Sequence, residues 1–168
     1  MNPNLSSEIN TILRFLTSIG IPFHEKKLED NTFLPGLHIS SNGIEIDVAK
    51  LRYPGDILHE AGHWAVTPAI QRSLIDTPKM PEEWPTQGDE IAAMLWSYAA
   101  LTHLNLPANY VFHEQGYKGQ SEWFIENYSQ GNYIGLPLLQ WMGLAFAEQE
   151  ENIKQGNIFP KMNQWLRD

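Results

Sequence analysis

The sequence predicts an α+β fold, in which a small antiparallel sheet or hairpin is followed by a mostly helical region. Apolar residues with helical spacing open the chain, alternating apolar residues on both sides of a turn come next, and helical spacing then returns over most of the remainder. Strands and helices that occupy separate stretches of a chain are typical of this class. The 168 residues have the length of one domain, so we expect a single domain over 1–168.

The first predicted helix covers residues 7–19, where apolar residues fall at positions 9, 12, 13, 16 and 19. Glu8 suits the first turn of a helix, and Gly20 suits the position just after its end. Pro22 then starts a stretch that we expect to be extended.

A β-hairpin is predicted next. The segments LHIS and IEIDV alternate apolar and polar residues, and the dipeptide Asn42-Gly43 lies between them. Asn-Gly is the preferred pair for a two-residue type I′ turn. The sequence therefore predicts a hairpin over 36–51 with its turn at Asn42-Gly43.

The first helix after the hairpin is predicted from about 57 to 67, with Asp56 as its N-cap. Pro68 either ends this helix or opens the next short one. A short helix follows in the segment AIQRSLI. Three prolines and a glycine make residues 77–88 the main irregular linker.

Three further helices are predicted over about 87–104, 120–130 and 136–149, with Gly131 ending the second and Pro137 in the first turn of the third. The C-terminal segment FPKMNQWLRD has no clear pattern. Four tryptophans fall at apolar positions of the predicted helices, so we assign them to the core: Trp64, Trp96, Trp123 and Trp141.

Composition excludes several classes of function. The formal net charge of −9 at pH 7 gives the chain no general attraction to nucleic acid or to anionic membranes. The absence of cysteine excludes disulfides, thiolate catalysis and cysteine-ligated zinc. We see neither a signal peptide nor an apolar run of membrane-spanning length, so we expect a cytoplasmic protein. The oligomeric state is left open.

The stretch LHEAGHWAV, residues 58–66, contains the most informative motif. On a helix His59 and His63 lie one turn apart on the same face, where two imidazoles can share one metal ion. Glu60 lies three residues before His63, so its carboxylate could accept a proton from water at that ion. This is the HExxH arrangement of zinc metallopeptidases. The alternative is a chance match in which both histidines are structural.

Catalytic zinc usually has three protein ligands and one open position. Gly62 has no side chain, so another backbone segment or helix can approach the motif closely. The adjacent Asp89 and Glu90 open the next long helix. Thr86 and Asp89 match the T-x-x-D form of a capping box, which leaves Glu90 as the preferred ligand and Asp89 as the alternative. Glu90 could instead be a solvated carboxylate that the helix dipole favours.

A peptidase also benefits from a hydrogen-bond donor for the oxyanion that forms during hydrolysis. His113 and Tyr117 lie four residues apart in the segment NYVFHEQGYKG, which we expect to be a loop. Either side chain could be that donor. The alternative is a surface histidine and a half-buried tyrosine.

The region from HEAGH to DEIAAMLW resembles the gluzincin group of zinc metallopeptidases. Glu90 follows the motif by 27 residues, and together with Ala93 and Trp96 it forms an E-x-x-A-x-x-aromatic pattern similar to that of the compact ImmA/IrrE-type metallopeptidases. The resemblance covers about residues 37–100. Thermolysin-like enzymes place an aspartate four residues after the glutamate ligand, as a partner for a histidine, whereas this chain has Met94 there.

The resemblance implies a zincin-like domain that binds zinc through His59, His63 and Glu90, with Glu60 as the general base. By analogy it also implies hydrolysis of a peptide bond in a peptide or protein substrate. The alternative function is a non-catalytic metal-binding or regulatory module on a zincin scaffold. Fe(II), Mn or Co could occupy the same ligands in place of zinc.

Overall fold

The computed structural model describes residues 6–168. Helix α1, Ser7–Ile19, confirms the first predicted helix. The Ser6 hydroxyl caps it by accepting a hydrogen bond from the backbone N–H of Ile9 at 3.3 Å. Gly20 ends it in the left-handed conformation, at a φ of 83°.

The sheet has three strands in the order β1-β3-β2, which are β1 at Phe23–Glu25, β2 at Leu37–Ser40 and β3 at Gly43–Ile46. β2 and β3 form the predicted antiparallel hairpin. β1 comes from the stretch that we expected to be extended, and it pairs with β3 in parallel. The α+β fold is confirmed, with a mixed rather than a purely antiparallel sheet.

The turn of the hairpin lies one residue earlier than predicted. Ser40 pairs with Gly43, so Ser41 and Asn42 are the turn residues and the predicted Asn42-Gly43 turn is wrong. The reason lies outside the hairpin, since a Cβ at Gly43 would lie 2.1 Å from the carbonyl oxygen of Pro22. Gly43 therefore permits a close backbone crossing and does not serve as a turn residue.

Helix α2, Asp56–Val66, carries the HExxH motif, and all its residues are buried. Gly55 occupies the N-cap position, and no side chain makes a capping hydrogen bond there. The prediction of Asp56 as N-cap is therefore wrong. Gly55 packs on Tyr110, whose carbonyl oxygen would lie 1.9 Å from an added Cβ. The Asp56 carboxylate instead accepts a hydrogen bond from His113.

After α2 the chain forms the short helix α3, Ala69–Arg72, and an irregular stretch that leads to helix α4, Gln87–Leu104. Both helices and the linker between them were expected from the sequence. The predicted capping box is confirmed, because Thr86 Oγ1 accepts from the backbone N–H of Asp89 at 3.1 Å and Asp89 Oδ2 accepts from that of Thr86 at 2.9 Å. This box sets the residue at which α4 begins.

Helices α2 and α4 pack closely because a glycine lies at their contact. A Cβ added at Gly62 would lie 2.7 Å from the carbonyl oxygen of Ala93. The close approach predicted for Gly62 is therefore confirmed. Leu58 and Ala61 of α2 and Leu95 of α4 are fully buried members of the main hydrophobic cluster.

Short helices follow α4, namely α5 at Ser121–Ser129, α6 at Leu136–Trp141 and α7 at Glu150–Lys154. α5 matches its prediction, but α6 ends well before residue 149. Gly143 takes a left-handed φ of 76°, and the chain then turns so that Ala145 bridges Met162. None of the helices within residues 6–168 combines the length and apolarity needed to cross a bilayer.

The tryptophans divide into two groups. Trp64 and Trp96 are buried as predicted, whereas Trp123 and Trp141 are 50% and 73% exposed, so their assignment to the core is wrong. Both exposed rings lie on short surface helices, where the Arg167 guanidinium covers Trp141 at 4.9 Å from the ring centre. The apolar spacing of those helices is real, but tertiary packing leaves these positions outside the core.

The C-terminal segment, for which the sequence showed no pattern, closes over the core. The ring of Trp165 contacts the ring of Phe15 in α1, with 4.9 Å between their centroids. The backbone carbonyl of Trp165 accepts a hydrogen bond from Trp96 Nε1 of α4 at 3.0 Å. The backbone N–H of Arg167 donates to the carbonyl of Ala65 in α2 at 2.9 Å. This segment therefore ties three helices together.

Candidate metal site

Three of the residues singled out in the sequence meet between α2 and α4. Nε2 of His59 lies 3.2 Å from Nε2 of His63. Glu90 faces both rings, with 3.0 Å between its Oε2 and Nε2 of His63 and 3.5 Å between its Oε1 and Nε2 of His59. One ligand atom from each residue lies within 4.8 Å of the others, so this group could hold a metal ion.

The two histidine nitrogens, 3.2 Å apart, have the spacing expected around a tetrahedral ion of the size of zinc. Ligand atoms 2.0–2.1 Å from such an ion lie about 3.3 Å from one another. Two ring nitrogens that face each other also require a proton or a cation between them, because each otherwise presents a lone pair. Two imidazoles and one carboxylate form a donor set found in catalytic zinc sites, although other divalent metals also accept it.

The two adjacent acidic residues at the start of α4 point to different partners. Asp89 Oδ2 accepts hydrogen bonds from both the backbone and the hydroxyl of Thr86, at 2.9 and 2.7 Å. Glu90 faces the histidines and belongs to the group that could hold a metal, whereas Asp89 does not. The capping box therefore separates the two carboxylates, as the T-x-x-D spacing predicted.

The pKa values of the two imidazoles shift in opposite directions. Burial, together with the nearby charge of His63, lowers the pKa of His59 to about 4. Burial also acts to lower the pKa of His63, but the hydrogen bond to Glu90 and the charges of Glu60 and Glu90 outweigh it, so that pKa is raised. Burial acts to raise the pKa of Glu90, and its contacts with the two histidines reverse that effect and lower it. A metal ion therefore competes with a proton mainly at His63.

Glu60 is buried beside this group, with 9% of its surface exposed. Among residues 6–168 its carboxylate has no hydrogen bond and no ion pair. Burial raises its pKa, and the charge of His63 partly opposes that shift. A nearly buried carboxylate without a hydrogen bond or an ion pair gains little from folding, so the stability of the fold does not account for its presence.

Tyr117 contacts one of the two histidines in the group that could hold a metal. Its Oη lies 3.1 Å from Nδ1 of His59, and the two rings meet edge to face at 5.6 Å between centroids. If His59 offers Nε2 to a metal, its proton lies on Nδ1, and His59 then donates this hydrogen bond to Tyr117. The hydroxyl proton of Tyr117 is not used by this bond, and its role as an oxyanion donor stays a prediction.

The backbone around Tyr117 adopts an uncommon conformation. Tyr117 and Lys118 have φ values of 53° and 54°, in the left-handed region. Each non-glycine residue there costs of order 1 kcal/mol, and such residues cluster at functional sites. The Tyr117 ring packs on Phe112 and Phe124 at 5.1 and 5.9 Å between centroids, which holds the hydroxyl at His59.

His113 lies near the same group but faces Asp56. Its Nε2 donates to Asp56 Oδ1 at 3.0 Å, and its ring stacks on Tyr53 at 3.7 Å between centroids. Its Nδ1 is buried without a partner among the described residues. Burial raises the pKa of Asp56, and the hydrogen bond from His113 opposes that shift. The oxyanion role of His113 stays a prediction, and in this arrangement its Nε2 proton is engaged by Asp56.

His63 has no equivalent of Tyr117. Its Nδ1 is buried and lacks a hydrogen-bond partner within residues 6–168. Met94, at the position where thermolysin-like enzymes have an aspartate, is a buried apolar side chain. Sequence reasoning missed the bond between Tyr117 and His59, since 58 residues separate them and no local signal connects them. It also missed Asp56 as a partner of His113, because Asp56 was predicted to be the N-cap of the helix.

A pocket of about 420 Å³ opens beside the candidate metal-ligand group of His59, His63 and Glu90. His59, Glu90, His113 and Tyr117 all contribute to its wall. A larger pocket of about 540 Å³ lies between α6 and α7, but it contains none of the candidate ligands. The smaller pocket is within the usual size range of small-ligand sites and is the one that adjoins the chemistry.

No protein-family model matches the sequence, and the comparisons with curated proteins and with solved structures gave no match either. The resemblance to the gluzincins therefore rests on the motif residues of this chain alone. What the structure adds is their convergence, since side chains from two separate helices meet with ligand-like spacing.

Proposed function

We propose that this protein is a zinc-dependent hydrolase and that it cleaves peptide bonds. One observation carries the proposal: Glu60 is buried, has no partner among the described residues, and directly follows His59 on the helix whose imidazoles meet Glu90. A site that only binds a metal does not need a further, unpaired carboxylate beside its ligands. The HExxH spacing adds peptides as the substrate class, by resemblance.

In this proposal His59, His63 and Glu90 hold the zinc ion. Zinc in that position would polarise the substrate carbonyl and make water more acidic. Glu60 accepts a proton from the water that attacks the carbonyl carbon, and it returns that proton to the amine nitrogen when the C–N bond breaks. Tyr117 keeps the proton of His59 on Nδ1, so that Nε2 is free to bind the metal.

An extended peptide could reach the site along the sheet. β2 lies at one edge of the sheet and packs on α2. An edge strand has backbone N–H and C=O groups without strand partners, and an extended peptide can pair with them. This supports a peptide or an unfolded protein segment as the substrate.

The test is the Glu60→Gln variant, which keeps the shape of the side chain and removes its basicity. We expect it to retain zinc and to lose at least about a hundredfold in rate, since general-base catalysis typically contributes 10²–10⁴-fold. The assay uses unstructured protein and a peptide library, with metal content measured on the same samples. The His59→Ala, His63→Ala double variant is the comparison, and it should lose both metal and activity.

Two outcomes would count against the proposal. If Glu60→Gln cleaves as fast as the parent protein, Glu60 is not the base. If the parent protein binds zinc and cleaves no peptide, a metal-binding regulatory module explains the site better than a peptidase does.

A further inference from the structure

The pocket beside the metal-ligand group is also lined by two basic side chains, Arg52 and Lys118. We infer that this pocket binds a carboxylate group of the substrate through Arg52 and Lys118. The inference rests on the proposed peptidase function, because it names the chemistry by which that site would select its peptides. Neither residue belongs to the HExxH motif or to the ligand group.

The charge balance of the pocket differs from that of the whole chain. The protein carries a formal net charge of −9, yet the acidic side chains that line this pocket are already engaged. Asp56 is bound to His113, and Glu90 faces His59 and His63. Arg52 and Lys118 are exposed and form no ion pair with any acidic residue among residues 6–168. The accessible, unpaired charge of the pocket is therefore positive.

Arg52 is held by a stack of side chains. Its guanidinium carbon lies 5.4 Å from the centre of the Tyr53 ring. Tyr53 stacks on His113 with an angle of 13° between the ring planes, and His113 is in turn bound to Asp56 at the start of α2. A guanidinium that rests on an aromatic face keeps its N–H groups at the edge, where they can donate to a carboxylate in a two-point contact.

Lys118 is tied to the metal-ligand group through its neighbour in sequence. It follows Tyr117, whose hydroxyl meets His59, and both residues have a positive φ. This backbone brings the lysine to the pocket that contains His59 and Glu90. A carboxylate bound by Lys118 would therefore lie in the pocket in which the proposed hydrolysis takes place.

The remaining wall indicates what the carboxylate is attached to. Phe33, Leu34 and Pro35 line the pocket, and Phe33 is 96% exposed. An exposed aromatic ring at the rim favours an apolar substrate side chain. We therefore expect a peptide that combines an apolar residue with a nearby carboxylate, either its own C-terminal carboxylate or an acidic side chain.

The experiment measures the binding of three blocked dipeptides by ligand-observed NMR titration at low ionic strength. They are N-acetyl-Ala-Phe with a free carboxylate, the same peptide as its amide, and N-acetyl-Asp-Phe amide. We expect at least one of the two carboxylate peptides to bind about fivefold more tightly than the neutral amide, and added salt to reduce that difference. The first peptide tests a C-terminal carboxylate and the third tests an acidic side chain.

Matched charge variants locate the effect. The double variant Arg52→Gln, Lys118→Gln should abolish the preference for carboxylate peptides. The control double variant Lys27→Gln, Lys79→Gln removes the same charge from exposed positions outside this pocket, so it should keep that preference. Equal affinity of the parent protein for all three peptides would overturn the inference. A preference that survives in the Arg52, Lys118 variant would overturn it too, because the carboxylate would then bind elsewhere, for instance to the metal.

The same titrations on chelator-treated protein separate this inference from the proposed function. The two cations do not depend on a bound metal, so the carboxylate preference should persist without it. If the protein cleaves no peptide and still prefers carboxylates through Arg52 and Lys118, the peptidase proposal fails and the carboxylate site stands. If it cleaves peptides without regard to carboxylates, only the carboxylate site fails.

Discussion

At the scale of single residues, the two histidines of the HExxH motif differ in what holds their second ring nitrogen. Nδ1 of His59 has the Tyr117 hydroxyl at 3.1 Å. Nδ1 of His63 is buried and has no partner within residues 6–168. A hydrogen bond to the outer nitrogen orients a metal-binding imidazole and raises its affinity for the metal. We therefore expect zinc affinity to depend on a tyrosine that is not itself a ligand.

The Tyr117→Phe variant tests this dependence. It removes the hydroxyl and keeps the ring that packs on Phe112 and Phe124. We expect about a 10- to 100-fold weaker zinc affinity with little change in the melting temperature of the metal-free protein. Zinc affinity is measured by competition with a chelating dye.

Tyr128→Phe is the matched control, because the Tyr128 hydroxyl is buried without a partner among the described residues. Its removal should leave zinc affinity unchanged and should not destabilise the protein. If Tyr117→Phe binds zinc as the parent does, the hydrogen bond to His59 is not needed for metal binding.

At the scale of elements, the site depends on how closely α4 approaches α2. The histidines and Glu60 belong to α2 and Glu90 to α4, so the distance between the helices sets the distance between the ligands. Gly62 allows the contact, since an added Cβ would lie 2.7 Å from the Ala93 carbonyl oxygen. The capping box determines which residues occupy the first turn of α4 and thereby aims Glu90 at the histidines.

The Gly62→Ala variant tests this contact. The added methyl group meets backbone, which cannot rotate away, so the helices must move apart. We expect a loss of about 1–3 kcal/mol in the free energy of unfolding, as is typical of overpacking, together with weaker zinc binding. Urea unfolding and a zinc titration measure the two effects.

Gly88→Ala is the control for the glycine-to-alanine change itself. Its Cβ would have only an ordinary contact, at 3.7 Å from Thr86 Oγ1. In a helix this substitution should be neutral or should stabilise by up to about 1 kcal/mol. Equal stability and zinc affinity for the parent and Gly62→Ala would show that the close contact does not matter.

At the scale of the whole molecule, a metal at this site would join two parts of the chain that an irregular linker separates. Residues 73–86 contain no helix or strand and connect the helix pair α2–α3 to α4. The C-terminal segment also connects α2 and α4, through Arg167 and Trp165 respectively. A metal that binds only the folded protein stabilises it by mass action.

A thermal melt with and without chelator tests this effect. At a hundredfold excess of zinc over its dissociation constant we expect about 2.7 kcal/mol of stabilisation, which corresponds to about 5–10 °C in melting temperature for a chain of this length. The shift should be absent in Glu90→Ala. Asp89→Ala should keep the shift while losing about 1 kcal/mol of stability from the capping box. The reverse result for these two variants would make Asp89 the third ligand.

Much of the local structure could be predicted, because the signals involved act within a few residues. Apolar spacing predicted α1 and α4, and the T-x-x-D pattern predicted the capping box that separates Asp89 from Glu90. Local rules failed where packing between distant segments overrode them. The Asn42-Gly43 dipeptide suits a turn, yet Gly43 is needed where Pro22 crosses it, and Trp141 has apolar spacing on a helix that lies at the surface.

The sequence by itself determined the candidate ligands His59 and His63, since their spacing of one helical turn is a local property. It also gave two adjacent carboxylates, Glu90 and Asp89, as the best candidates for the third ligand. Only the tertiary structure decided that Glu90 meets the histidines, that Tyr117 holds His59, and that basic residues share the pocket with them. These relations join residues that are far apart in the sequence, for example Tyr117 and His59 at a separation of 58 positions. They arise from the packing of whole helices and loops, which the residues adjacent in sequence do not predict.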